Sequence, residues 1–337
     1  MENQENMNQD ENLNFENRID LSKLKDAVEQ IKSELSKIII GQEAFMDLLL
    51  VALLSDGHVL IEGVPGVAKT VTAKLLSKTI KTGFSRIQFT PDLMPSDVTG
   101  HAMYDIKTEE FRIRKGPVFT NLLLADEINQ APAKSQSALL EVMQEQQVTI
   151  EGNPFAVSLP FMTLATQNPI EQEGTYPLPE AQLDRFLLKI KISYPSQIEE
   201  TKLIKQVTTA KTGETLDIKA IKTLIKPESI LTLQRIVANL QVDDRIYEYA
   251  VKIVRGTRTW SGISLGAGPR GGIALIRSAR AAALLAGHDF VTPDDIKNIA
   301  IPALRHRITL APELEIEGYD VDMVLNEMLS KIEAPRI

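Results

Sequence analysis

The sequence contains no cysteine, which excludes disulfides, thiolate zinc sites and cysteine nucleophiles together. Histidine is almost as scarce. His58, His101, His288 and His306 are scattered without ligand spacing, so each is read as a surface or packing residue and no zinc is expected. Basic residues are outnumbered, 37 Lys and Arg against 45 Asp and Glu, and a formal charge of -8 argues against a broad nucleic-acid-binding face while leaving a locally basic pore open. No apolar run approaches the roughly 18 residues of a membrane span. The N-terminus lacks a basic region followed by an apolar core, so the expectation is a soluble cytoplasmic chain.

Core material, by contrast, is ample: 43% of the 337 residues are apolar, enough for roughly two domains. Residues 1–20 are the exception. They are rich in Asn, Glu, Gln and Asp with little to bury, and are read as a disordered acidic tail.

The most informative stretch is Gly63-Val64-Pro65-Gly66-Val67-Ala68-Lys69-Thr70, a turn between the apolar run at His58–Ile61 and the helical pattern at Val71–Ile80. A strand, a glycine-rich turn and a helix start direct several backbone N–H groups at one point, where the helix dipole favours an anion. Gly63 and Gly66 permit the curvature and close approach that side chains would block. Lys69 is then placed to reach the outer phosphates of a nucleotide, and Thr70 to offer a hydroxyl to magnesium. Ala68 stands where the general pattern has a second glycine, which the right-handed backbone of a first helical turn tolerates.

Five strand candidates follow one another, at 58–62, 85–89, 121–126, 161–167 and 187–192, several of them near-continuous apolar runs. Alternating with helices and loops, they predict a mainly parallel sheet in a three-layer α/β domain, with ligands at the carboxyl ends of the strands. Two hairpins are expected in addition. One pairs Ala102–Ile106 with Phe111–Arg114 across 107–110, and the other pairs Val148–Ile150 with Phe155–Leu159 across 151–154. From Gln197 onward the pattern is almost wholly helical, so a domain boundary is placed near residue 194.

The residues suited to chemistry cluster at strand ends. Leu122-Leu123-Leu124-Ala125 runs into adjacent carboxylates, Asp126 to hold magnesium and Glu127 to orient and deprotonate an attacking water. Asn168, after the fourth strand candidate, can hydrogen-bond both that water and a terminal phosphate. On the residues alone, Arg185 reads as a solvated surface salt bridge more readily than as a catalytic arginine, and Arg270 more so.

Taken together, Gly-Val-Pro-Gly-Val-Ala-Lys-Thr, Leu-Ala-Asp-Glu-Ile-Asn-Gln-Ala-Pro, Ala-Thr-Gln-Asn-Pro and Tyr-Pro-Leu-Pro-Glu-Ala-Gln-Leu-Asp-Arg-Phe resemble the MoxR family of AAA+ ATPases, and Gly266–Arg270 and His306–Ile308 continue the likeness. The resemblance implies an AAA+ P-loop αβα core over 21–193 with a five-stranded sheet, a helix 2 insert and a pre-sensor 1 hairpin. A smaller all-α lid over 194–337 would follow. It implies Walker A residues at Gly63–Thr70, Walker B residues Asp126 and Glu127, sensor 1 at Asn168, an arginine finger at Arg185 and sensor 2 at Arg270, in cis or in trans. Gln130 stands where relatives commonly have an arginine. ATP and magnesium are the implied cofactors, a hexameric ring the implied assembly, and proteins with von Willebrand A domains the implied clients. Nucleic acid is not expected; a nucleic-acid motor on the same core is the competing reading, and Arg112, Arg114 and Lys115 are the one tight basic cluster it could use.

Overall fold

The structure, a computed structural model, describes residues 21–64, 69–168, 175–209 and 222–335. The expected acidic tail and Pro65, Gly66, Val67 and Ala68 lie outside those residues.

Two helices, α1 (Leu21–Ser36) and α2 (Glu43–Leu54), precede the first strand. Then come β1 (Val59–Gly63), α3 (Lys69–Thr79), β2 (Phe84–Gln88) and α4 (Pro95–Thr99), followed by the hairpin of β3 (Gly100–Asp105) and β4 (Glu110–Lys115). Next are β5 (Leu122–Asp126), α5 (Ala133–Glu145), a second hairpin of β6 (Gln147–Ile150) and β7 (Asn153–Ala156), β8 (Met162–Gln167), α6 (Glu180–Leu183) and β9 (Leu188–Ile192). The remainder comprises α7 (Gln197–Thr208), α8 (Pro227–Ala238), α9 (Asp244–Thr259), β10 (Ile263–Leu265), α10 (Pro269–Ala286), α11 (Pro293–Leu304), β11 (Thr309–Leu310), α12 (Pro312–Ile316) and α13 (Val321–Lys331).

The central sheet has the order β2-β5-β8-β1-β9, with every neighbouring pair parallel. Successive side chains of a strand point to opposite faces, and the core divides accordingly. Val59 and Ile61 of β1, with Leu122 and Leu124 of β5, join one apolar layer, whereas Leu60, Leu123 and Ala125 join the other with Leu139 and Leu140 of α5. This is the three-layer arrangement expected from the sequence. The first layer does not stop at the core: Leu233, Ile253, Leu275, Leu304 and Leu325 of the C-terminal helices belong to the same buried cluster as Leu49 and Leu53 of α2. The lid therefore packs directly on the core.

Several local details differ from expectation. The second hairpin pairs Ile150 with Asn153, so its turn is the two residues Glu151-Gly152 and not 151–154. Both have positive φ, 49° and 77°, the handedness that matches the twist of paired strands. The first hairpin is longer than expected. It pairs Gly100 with Lys115 and Asp105 with Glu110, leaving 106–109 as the loop. Gly100 (φ 95°) closes its base, where an added Cβ would stand 2.3 Å from Arg114 O. Helix α5 has no counterpart among the expected elements. Its buried face includes the polar Ser135 and Gln136, which interrupt the apolar period and are satisfied by hydrogen bonds to Leu93 O, Ile128 O and Tyr176 O. The helical lid also carries a short antiparallel ribbon, β10–β11, and α10 begins at Pro269, with proline at its first position.

Candidate functional site

The turn after β1 delivers Lys69 and Thr70 as the first two residues of α3. Lys69 folds back, its Nζ donating to Gly63 O at 2.7 Å. Partial burial lowers its pKa, while the nearby Asp126 and Glu127 carboxylates act in the opposite direction. Val64 packs against the apolar core.

Asp126 ends β5, and Glu127 immediately adopts left-handed backbone angles, φ 56° and ψ 51°. A non-glycine residue rarely takes that conformation without a structural reason. Here it turns two adjacent carboxylates to the same end of the sheet. Thr166 Oγ1 donates to Asp126 Oδ1 at 2.6 Å and accepts the Glu127 N–H at 2.9 Å, so one hydroxyl fixes both residues. Arg86 contacts Asp126 Oδ2 through Nε at 3.0 Å and Nη2 at 2.7 Å. The Gln88 amide donates to Glu127 Oε2 at 2.7 Å and accepts from Arg86 Nη2 at 2.7 Å. Asn168 stands one residue beyond β8, between the ends of β1 and β5 in the sheet order.

Arg86, Gln88 and Thr166 were not among the expected site residues. The available signal was faint. Arg86 and Gln88 are two apart on β2, hence on one face, and their parallel register with β5 sets Gln88 opposite Asp126. That register is a property of the sheet.

These donors fit a magnesium nucleotide in chemistry: an ammonium at a helix start, a hydroxyl and a carboxylate, all hard partners for phosphate and magnesium. Among the described residues there is no group of three or more His, Asp or Glu placed to hold a metal. Magnesium typically binds through one or two carboxylates with water and phosphate oxygens completing its shell.

Arg185 and Arg270 lie elsewhere. Arg185 falls between α6 and β9, and Arg270 is the second residue of α10. Both line a cavity of about 370 Å³ together with His58, Gln146, Arg277 and Arg307. His58 precedes β1 and Leu187 precedes β9, and Leu187 N donates to His58 O at 2.8 Å. This cavity is therefore at the amino ends of the strands, whereas Lys69, Thr70, Asp126, Glu127 and Asn168 gather at the carboxyl ends. A five-residue strand separates the two by roughly 16 Å.

His58 is buried at this second site. Its Nδ1 accepts the Thr163 N–H at 3.0 Å and its Nε2 donates to Met143 O at 2.9 Å, which fixes the neutral tautomer. Burial lowers its pKa to about 4.

A family model described as ATPase family associated with various cellular activities (AAA) matches residues 58–188, and an AAA lid domain model matches residues 255–328. The Mycobacterium tuberculosis chaperone MoxR1 is 44% identical over 313 residues, 90% of this chain and 81% of its own. The chain belongs to the MoxR family of AAA+ ATPases. The Bacillus subtilis protein YeaC is 47% identical over 309 residues, 92% of this chain and 94% of its own. A crystal structure from Cytophaga hutchinsonii superposes with a TM-score of 0.86 at 38% identity, covering 94% of this chain and 97% of that one.

Within this MoxR-family fold, the parallel five-stranded sheet and helical lid are the AAA+ core and its lid. Gln130 closes the short helical turn at Ile128–Gln130, its N–H donating to Glu127 O at 2.8 Å. Among the described residues no helix is long and apolar enough to cross a membrane.

Proposed function

We propose that this chain hydrolyses ATP at sites shared between neighbouring subunits of a ring, and uses the cycle to remodel protein clients. The observation that carries this reading is the separation of the two half-sites. In one chain, Arg185 and Arg270 share a cavity at the amino ends of the strands, while Lys69, Asp126 and Glu127 occupy the carboxyl ends. Neither arginine can serve its own nucleotide without crossing the sheet. A head-to-tail neighbour, repeated around a ring, brings one half-site against the other.

Magnesium, when bound with the nucleotide, would supply positive charge that offsets the phosphates. Thr70 and Asp126 are the residues that would hold it. Lys69 would leave Gly63 O for the outer phosphates, and the glycine-rich segment Gly63–Ala68 is the proposed phosphate loop. Glu127, held by Gln88, orients the attacking water and accepts its proton, with Asn168 positioning the terminal phosphate. Arg185 and Arg270 of the next subunit offset charge that builds on the transferred group, an effect worth about 10³ to 10⁵ in rate for an inserted arginine. In this reading the nucleotide core spans 21–193 and the lid 194–337.

Clients follow from the projecting hairpin. β3–β4 exposes Met103, Tyr104, Ile106 and Phe111, with Tyr104 and Phe111 stacked edge to face at 5.3 Å. Exposed apolar surface of this kind suits a protein partner. The basic cluster on the same hairpin is partly spent within the chain: Arg112 pairs with Asp105 at 3.2 Å and Lys115 lies 4.9 Å over the Phe119 ring. That favours protein over nucleic acid. The clients are assigned to proteins with von Willebrand A domains, in the cytoplasm, and the ring to six subunits.

Subunit mixing tests the shared site. Glu127→Gln chains keep the arginines and Arg185→Ala chains keep the carboxylates, so each alone is inactive and the mixture recovers turnover. A mixture no more active than its parts overturns the reading. Stimulation of hydrolysis by DNA or RNA, lost as salt rises, would support the nucleic-acid motor instead.

A further inference from the structure

Arg307, three residues past the end of α11, is almost wholly buried, with 4% of its side chain exposed. A buried guanidinium has five N–H groups to satisfy. Four of the five here reach one short segment of another element. Nε donates to Asp184 Oδ1 at 2.7 Å, Nη2 to Asp184 O at 3.2 Å and Phe186 O at 2.7 Å, and Nη1 to Leu187 O at 3.2 Å. The fifth turns back to Ala303 O in the last turn of α11. His306 adds a sixth bond, Nε2 to Phe186 O at 2.9 Å. These acceptors flank Arg185 on both sides. Arg185 itself is exposed, and its guanidinium has no hydrogen-bond or ion-pair partner among the described residues.

The opposite side of Arg307 meets the start of α10. A Cβ added at Gly271 would stand 3.6 Å from Arg307 Cδ and 3.1 Å from Leu304 Cδ2, so the glycine next to Arg270 lets the two turns close on each other. Arg270 also shares the counter-ion, its Nη1 lying 3.8 Å from Asp184 Oδ2. One carboxylate thus lies between the turn that bears Arg185 and the helix start that bears Arg270.

We propose that Arg307 is a positioning residue: it locks the Arg185 turn and the Arg270 helix start into one unit, so that both guanidiniums reach the neighbouring subunit's nucleotide together. The inference rests on the shared-site reading above. A clamp that only stabilised the fold would need no such arrangement. This one spends its donors on backbone carbonyls either side of a side chain left free to act.

The test uses the full chain with ATP and magnesium. Arg307→Lys keeps the charge but has three N–H groups in place of five. It lowers kcat about tenfold or more and leaves KM for ATP within about twofold, the pattern of an interaction made only in the transition state. Added to the double variant Arg185→Ala, Arg270→Ala it causes no further loss, because Arg307 acts only through those two arginines. Mixed with Glu127→Gln it recovers turnover as Arg185→Ala does. Asp184→Asn keeps the acceptor and removes the charge; it gives a smaller loss of the same pattern, and decides the question if Arg307→Lys does not fold. If Arg185→Ala complements but the clamp variants keep full kcat, act through KM, or add their losses to those of the Arg185→Ala, Arg270→Ala double variant, the positioning role is overturned and the shared site stands. If no pair complements, the shared-site reading falls and the inference falls with it.

Discussion

Gln88 and Glu127 are joined by a 2.7 Å hydrogen bond from the amide to the carboxylate, and the same amide is held in turn by Arg86. The base expected to activate water is therefore oriented from the edge strand β2, through a contact between residues 39 apart. Removing that support leaves Glu127 in a strained left-handed backbone with one fewer restraint. Gln88→Leu lowers kcat about tenfold with KM for ATP within about twofold, as loss of orientation of a general base predicts. Steady-state kinetics at saturating magnesium check it; a KM effect alone would assign Gln88 to binding.

Glu127→Gln is expected to keep its place, because an amide oxygen can still accept from Gln88, and to lose the proton acceptor. Hydrolysis falls by about 10²- to 10⁴-fold while ATP binding persists. Held in the bound state, this variant should retain its partners. Capture from native cytosol followed by mass spectrometry reads out the client, and enrichment of nucleic acid without protein would contradict the remodelling role.

His58 sets a pH limit on stability. Its side chain is buried and neutral in the fold, with its pKa lowered by burial to about 4 from an ordinary value of 6.5. Between those values the unfolded chain binds a proton that the folded chain does not, so stability is complete above about pH 6.5 and declines as pH falls toward 4. The difference corresponds to about 3 kcal/mol. His306, also held well below its ordinary range, first by burial and then by the adjacent Arg307, acts in the same direction. Urea unfolding between pH 4 and 7 measures the slope, and His58→Gln should reduce it.

The two-residue turn of the β6–β7 hairpin makes a conformational prediction. Gly152 has φ 77° with nothing within 4 Å of an added Cβ, so a side chain there meets backbone strain and no steric clash. Gly152→Val destabilises the hairpin by about 1 to 3 kcal/mol, whereas Gly152→Asn, tolerant of left-handed angles, loses much less. Hydrogen exchange of the Val148 and Ile150 amides separates the two variants.

The fold was largely legible because its signals are local. The apolar runs at 59–63, 122–126 and 162–167 are short and bounded, as strands buried on both faces must be, and each ends at a residue of chemical interest. Helix α5 escaped notice because its buried face includes Ser135 and Gln136, whose burial depends on carbonyls at residues 93, 128 and 176. The β10–β11 ribbon is only two or three residues per strand, and pairing across 45 residues leaves no pattern in either one.

What the sequence determined by itself was the set of contiguous segments: a strand, a glycine-rich turn and a helix start at Gly63–Thr70, and an apolar strand ending in Asp126-Glu127. Their chemistry follows from neighbours along the chain, whose geometry is set by backbone preferences within a few residues. Only the tertiary structure decided which segments meet. The order β2-β5-β8-β1-β9 brings Arg86, Gln88 and Thr166 to the two carboxylates, and packing of α11 against β9, with α10 packed on α11, gathers Arg185, Arg270 and Arg307 at the opposite end. Strand order and helix docking arise from burying distant apolar faces together, and that choice is made by the whole core rather than by any one segment.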